Sequence, residues 1–121
     1  MMNAPKTDAE LMLTKARTRL LRKLVFFGQL ALKLTFVETT QTQTMATDGK
    51  HLYYNAAWVV TLTIAKLVGV ILHEVLHVIF MHMLRKGSRD HERWNVACDL
   101  AINPIIVRYG EELPEGALDE W

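Results

Sequence analysis

Residues 64–87 read IAKLVGVILHEVLHVIFMHMLRKG, and both fold and chemistry turn on how His73-Glu74-Val75-Leu76-His77 sits inside the apolar run from Leu67 to Leu84. Imidazoles and carboxylates are costly to bury in apolar surroundings unless they find partners. On a helix, positions i and i+4 lie one above the other, so His73 and His77 direct two imidazoles at one point, with Glu74 about 100° round beside it. This is the HExxH pattern of a metal-ligating helix that carries its own general base. The competing reading is a chance match on a core helix whose histidines are satisfied by ordinary hydrogen bonds. Two histidines and a glutamate this close together would be a poor way to build a core, so the metal reading is preferred. A membrane span is excluded, because the unbroken apolar stretch Leu67 to Leu72 is far too short and the polar residues lie mid-segment.

The remaining composition fits one small enzyme domain. The chain has 121 residues, half of them apolar, which is enough for a single modest core. Its net charge of +1 points to neither a nucleic-acid partner nor an acidic tail, although Lys15, Arg17, Arg19, Arg22 and Lys23 make the N-terminal third locally basic. That basic face is read as a solvated surface. The single cysteine, Cys98, excludes an internal disulfide and suits a reducing compartment. Met1 to Glu10 lacks the basic start and apolar core of a secretory signal, so a cytoplasmic location is expected.

Outward from the motif, the periodicity predicts a helix over residues 7–32, with apolar positions Leu13, Ala16, Leu20, Leu24, Phe27 and Ala31 and a cap at Thr7 or Asp8. From Leu34 the texture turns β-branched and aromatic. Leu34–Glu38, Thr42–Thr47 and His51–Tyr54 read as strands of a small, mostly antiparallel sheet, and Asp48-Gly49 is a hairpin signal. The stretch Thr39 to Thr44 is polar on both faces and suits an edge strand or a loop. Asn55 is expected to cap a short helix over 56–62, and Thr61 or Thr63 to start the motif helix, which runs from about Ile64 to Lys86 and stops at Gly87. A last helix, capped by Ser88 or Asp90, is expected to reach about Asn103 and to bend or end at Pro104. A brief continuation stops at Gly110, and residues 111–121 read as an irregular tail. The whole, residues 1–121, reads as one α+β domain without repeats or linkers.

A catalytic zinc takes three protein ligands and keeps an open position. His82 is nearest in sequence, but nine residues past His73 is about 900° of helical turn, which puts it on the opposite side of an unbroken helix. No glycine or proline near Phe80 breaks it. The longer HExxHxxGxxH arrangement is also missed, since Ile79 and Met83 occupy its later positions. On the following helix, Asn95, Asp99 and Asn103 fall at i, i+4 and i+8, a polar seam among apolar neighbours. If that helix packs back antiparallel on the motif helix, Asp99 faces His73 and His77, and it is the expected third ligand. The alternative is that Asp99 only accepts a hydrogen bond from a ligand histidine. Asn95 and Asn103 are expected to hold the site by hydrogen bonds, and Cys98 points away as a small core residue.

TDGKHLYYN (Thr47 to Asn55), HEVLHVIFMHMLR (His73 to Arg85), RDHERWNVACDLAINPII (Arg89 to Ile106) and ELPEGAL (Glu112 to Leu118), taken in order, cover most of residues 7–118. Together they resemble a domain family, named for a metallopeptidase activity inferred from its motif, that often precedes a von Willebrand factor A-like domain. The joining of HExxH to WNxAxDxxIN at this distance is what makes the likeness specific. The resemblance implies a minimal zincin-like fold, with an N-terminal helix, a small sheet, the HExxH helix and a following helix carrying an aspartate like Asp99. It also implies a protein partner that supplies the family's downstream region, absent after Trp121.

The expected function is a zinc-dependent metallopeptidase acting on peptides or proteins, with His73, His77 and Asp99 as ligands of Zn2+ and Glu74 as the base that deprotonates the attacking water and then protonates the leaving amine. An oxyanion donor is not assigned among Tyr109, Arg108 and His91. An extended substrate is expected to add to Thr42–Thr47 or His51–Tyr54. The alternative is a non-catalytic scaffold or protein-binding module, whose closed metal site would recruit His82 or His91 as a fourth ligand. A nucleic-acid binder using the basic first helix is least in keeping with the net charge. The sequence does not specify an oligomeric state.

Overall fold

A computed structural model describes residues 7–83 and 101–113. Thr7 caps the first helix, α1 (Asp8–Lys23): the Glu10 N–H donates to Thr7 Oγ1 at 3.2 Å and the Thr7 hydroxyl donates to the Glu10 carboxylate at 3.3 Å. Leu13, Ala16 and Leu20 form its buried stripe. The expected single helix is in fact two. Leu24 leaves helical angles at φ −134°, ψ 78°, and α2 (Val25–Lys33) follows. Residues seven apart on a straight helix are separated by about 10 Å, yet a side chain at Gly28 would collide with the backbone of Leu21. The missing Cβ lets α2 fold back onto the last turn of α1, and one non-helical residue is too local a break to disturb the apolar spacing that suggested one helix.

The sheet consists of β1 (Thr35–Glu38), β2 (Met45–Thr47) and β3 (His51–Tyr54), in the order β1-β3-β2. The Asp48-Gly49 turn forms as expected, with Gly49 at φ 96° and the Asp48 carboxylate accepting the backbone N–H groups of Lys50 and His51 at 2.9 and 2.7 Å. Those bonds, with the His51 and Tyr53 side chains, hold Asp48 well below the usual carboxylate range. The mostly antiparallel expectation needs correction, because β1 pairs with β3 in parallel and only β2 pairs antiparallel. Two chain reversals between β1 and β3 impose that direction, and residues 39–50 supply the crossover of about a dozen residues that parallel pairing requires. The polar stretch before Met45 is bends rather than strand.

Asn55 caps the next helix, accepting the Trp58 N–H at 3.2 Å, but that helix, α3, covers only Ala56–Val59. Thr63 then caps α4 (Ile64–Met83), with the Lys66 N–H on its hydroxyl at 3.2 Å. Residues 67–76 of α4 are buried on nearly every side, from Leu67 and Val68 to Val75 and Leu76, so this is the central helix, packed against α1, α2 and β2. No helix among the described residues is long and apolar enough to cross a membrane.

Residues 101–108 are helical, here α5, and the helix continues through Pro104 instead of ending there. Pro104 is exposed, so its ring points away from the packed face formed by Ile102 and Ile106. The end of α5 is a Schellman turn: Gly110 has φ 77°, its N–H donates to Val107 O at 2.9 Å, and the Glu111 N–H donates to Ile106 O at 3.1 Å. Glu111 turns inward and its Oε1 meets Lys23 Nζ at 2.7 Å, joining this turn to the end of α1. The chain then crosses α4 so closely that a side chain at Gly69 would collide with the carbonyl of Glu112. The expected ends of the motif helix at Lys86 and Gly87, the Ser88 or Asp90 cap and residues 114–121 lie outside the described residues.

Gly69→Ala therefore forces either α4 or residues 111–113 to move, and overpacking of this kind costs about 1–3 kcal/mol. The variant's urea midpoint should fall while Gly110→Asn, a residue that tolerates positive φ, loses less.

Candidate metal centre

His73 and His77 are one helical turn apart on α4, and the structure brings them together as the spacing requires. Their Nε2 atoms lie 3.1 Å apart, with ring centroids at 4.7 Å and planes inclined by 66°. His73 is 2% exposed, Glu74 is 5% exposed and His77 is only partly buried, so the pair runs from the core toward the surface.

The second nitrogen of His73 is accounted for. Its Nδ1 is 2.8 Å from Oδ1 of Asn103, itself 1% exposed on α5. An amide oxygen only accepts, so Nδ1 carries a proton, and in the neutral form of the ring Nε2 presents a lone pair toward His77. Asn103 of α5 meets His73, and beyond the turn that ends α5 the Glu112 carbonyl meets Gly69, four residues earlier on α4.

Two bare imidazole nitrogens on one metal at about 2.0–2.1 Å with a tetrahedral angle would be roughly 3.3 Å apart. The observed 3.1 Å fits that separation. It equally fits an N–H···N hydrogen bond in which His77 donates. Among the described residues, no group of three or more His, Cys, Asp or Glu gathers so as to hold a metal ion. Asp99 lies outside the described residues, as do Asn95, Cys98 and His91. The backbone of α4 continues unbroken past Phe80 to Met83, so the break that His82 would need to reach the same point is absent.

Two of the unassigned oxyanion candidates are described. Tyr109 stacks edge-on against Phe27 with centroids at 5.7 Å, a packing contact, and Arg108 is exposed. Of the strands expected to take an added strand, β3 is central and paired on both sides, whereas among the described residues β2 pairs on one side only. Sequence reasoning missed the inward turn of Glu111, which had been placed in an irregular tail. The signal was there in Gly110, since a helix stopped by a positive-φ glycine turns its next residue back toward the helix.

A family model described as putative metallopeptidase domain matches residues 8–120. No curated protein and no solved structure matches the chain.

Replacing Asn103 by Leu takes away the acceptor of a buried N–H and should cost about 1–3 kcal/mol in stability. Asn103→Asp keeps an acceptor there, and histidine 15N spectra should show His73 with its proton on Nδ1 in the wild type and in Asn103→Asp. A wild-type spectrum with the His73 proton on Nε2 would contradict the assignment.

Proposed function

The chain belongs to the putative metallopeptidase domain family, and from that premise we propose that it is a zinc-dependent peptidase whose metal is held by His73, His77 and Asp99 in a zincin-like domain. The observation that carries the reading is the convergence of the two Nε2 atoms at 3.1 Å, with His73 Nδ1 engaged by Asn103 so that its Nε2 is the lone-pair end. That is how ligand histidines are usually held, one nitrogen on the metal and the other on an orienting acceptor. Asp99 is proposed as third ligand from its place in the Asn95, Asp99, Asn103 seam of the sequence, because Asn103, four residues on, meets His73.

When bound, a zinc ion would polarise the scissile carbonyl and acidify a water molecule. The chain's own residues do the rest. Glu74 follows His73 directly and stands beside the ligand pair, where a carboxylate can accept the proton of the attacking water and return it to the leaving amine nitrogen. The low exposure of Glu74 keeps bulk water from competing for that proton. Asn103 neither binds metal nor touches substrate; it fixes the tautomer and direction of the His73 ring. The outer edge of β2, which pairs with no strand among the described residues, suits an extended peptide, whose backbone can pair with a strand. The proposed substrates are accordingly peptides or proteins, and the proposed location is the cytoplasm.

Elemental analysis of the purified chain tests the metal separately from catalysis. About one zinc per chain is expected in the wild type, with loss in His77→Ala and in Asp99→Ala. Glu74→Gln should keep its zinc and lose at least about 100-fold in hydrolysis of an unfolded protein substrate. Zinc retained by Asp99→Ala would move the third ligand elsewhere. Stoichiometric zinc without any hydrolysis in the wild type would favour a metal-stabilised scaffold.

A further inference from the structure

Away from the histidines, α1 and the sheet leave a cleft of about 400 Å³ between them. One wall is the α1 stripe Glu10, Leu13, Thr14 and Arg17, at i, i+3, i+4 and i+7. The other is Phe36 and Glu38, alternate residues of β1, with Tyr54 of β3 paired to Glu38. The volume is within the range of small-ligand pockets, about 300–1,000 Å³.

The lining is charged in a particular way. The Arg17 guanidinium lies over the Phe36 ring, 4.3 Å from its centroid. It is partly buried, and that burial lowers its pKa, yet among the described residues it has neither an ion pair nor a hydrogen bond. Stacking on a ring fixes the plane of the fork and leaves its N–H donors directed at the edge. The Tyr54 hydroxyl stays protonated, its pKa raised first by burial and then by Glu38 and Glu10, and it has no hydrogen-bond partner among the described residues.

One cation and two carboxylates in one small space select among ligands. A phosphate on Arg17 would face the charges of Glu10 and Glu38. A simple amine near those carboxylates would face Arg17. An apolar molecule would bury charged groups against itself. A short zwitterion satisfies all of them. We propose that this cleft binds a free amino acid or very short peptide with an apolar side chain. Its carboxylate sits on the Arg17 fork, its ammonium group lies toward Glu10 and Glu38, and its side chain rests against Leu13 and Phe36. A planar guanidinium held in place suits bidentate pairing with a carboxylate. None of the residues that line the cleft is His73, Glu74 or His77.

Calorimetric titration of the whole chain tests it with L-leucine, leucyl-leucine, N-acetyl-leucine, leucinamide and inorganic phosphate as probes. Saturable binding of leucine or the dipeptide is expected, and the tighter of the two identifies the ligand's source. Capping either charge should weaken binding about tenfold or more, as should Arg17→Gln. Glu38→Gln alters an exposed side chain and should keep the fold while weakening leucine but not N-acetyl-leucine. If Arg17→Gln does not fold, the capped ligands and Glu38→Gln decide the question. The proposal is overturned if neither leucine nor its dipeptide binds up to about 10 mM. It is equally overturned if the capped analogues bind as well as the zwitterions, or if phosphate binds more tightly.

Discussion

A histidine at the centre of an apolar helix cannot be left to water, and the buried bond between His73 and Asn103 is the constraint to which the rest of the described structure conforms. His73 lies among Ile71, Leu72, Val75 and Leu76, all buried. A ring there needs an acceptor for its N–H, and that acceptor must come from another element because the helix carbonyls of α4 are already used. Asn103 supplies it from α5. Once Asn103 is placed, α5 has to lie along α4, with Ile102 and Ile106 turned into the same core.

Aiming and holding are done by different groups. A single neutral hydrogen bond contributes on the order of 1 kcal/mol, whereas a fully buried aliphatic side chain contributes about 1.5–3 kcal/mol. Ile102 and Ile106, both fully buried, therefore hold α5 down, and Asn103 sets its rotation. The Schellman turn at Gly110 then sends Glu111 inward to Lys23. Lys23 is half-exposed, so the attraction is partly screened, but Glu111 is almost wholly buried and would be costly without it. That pair joins the end of α1 to the end of α5, and Gly69 lets the next residues pass directly over α4.

Features set by neighbouring residues were legible in the sequence. The Thr7 cap, the Asp48-Gly49 turn, the Asn55 cap and the His73/His77 face each depend on residues within five positions, where local geometry dictates the outcome. What was not legible depends on distant parts of the chain. The bend at Leu24 rests on Gly28 meeting Leu21, and a glycine in an apolar run carries no mark saying which neighbour it admits. The parallel β1–β3 pairing is a matter of strand order, which alternation of side chains does not encode. The helix does not end at Pro104, since the rule that proline stops a helix weakens where its ring faces solvent. For the site, the i, i+4 pair and the hydrogen-bonding role of Asn103 could be read directly, whereas the third ligand depends on how two helices pack.

The two histidines are unequal, and the inequality bears on how such a centre would work. His73 is buried and held at Nδ1, so its Nε2 has one direction available. His77 is partly buried and sits a turn nearer the end of the described helix, so its ring has access that His73 lacks. His73 and His77 would be the residues that hold a metal ion here, and of the two the His73 ring is already oriented by Asn103. Removal of His77 should thus open the centre while leaving the His73–Asn103 bond in place. Removal of Asn103 should disorder the inner ligand while leaving the outer one exposed.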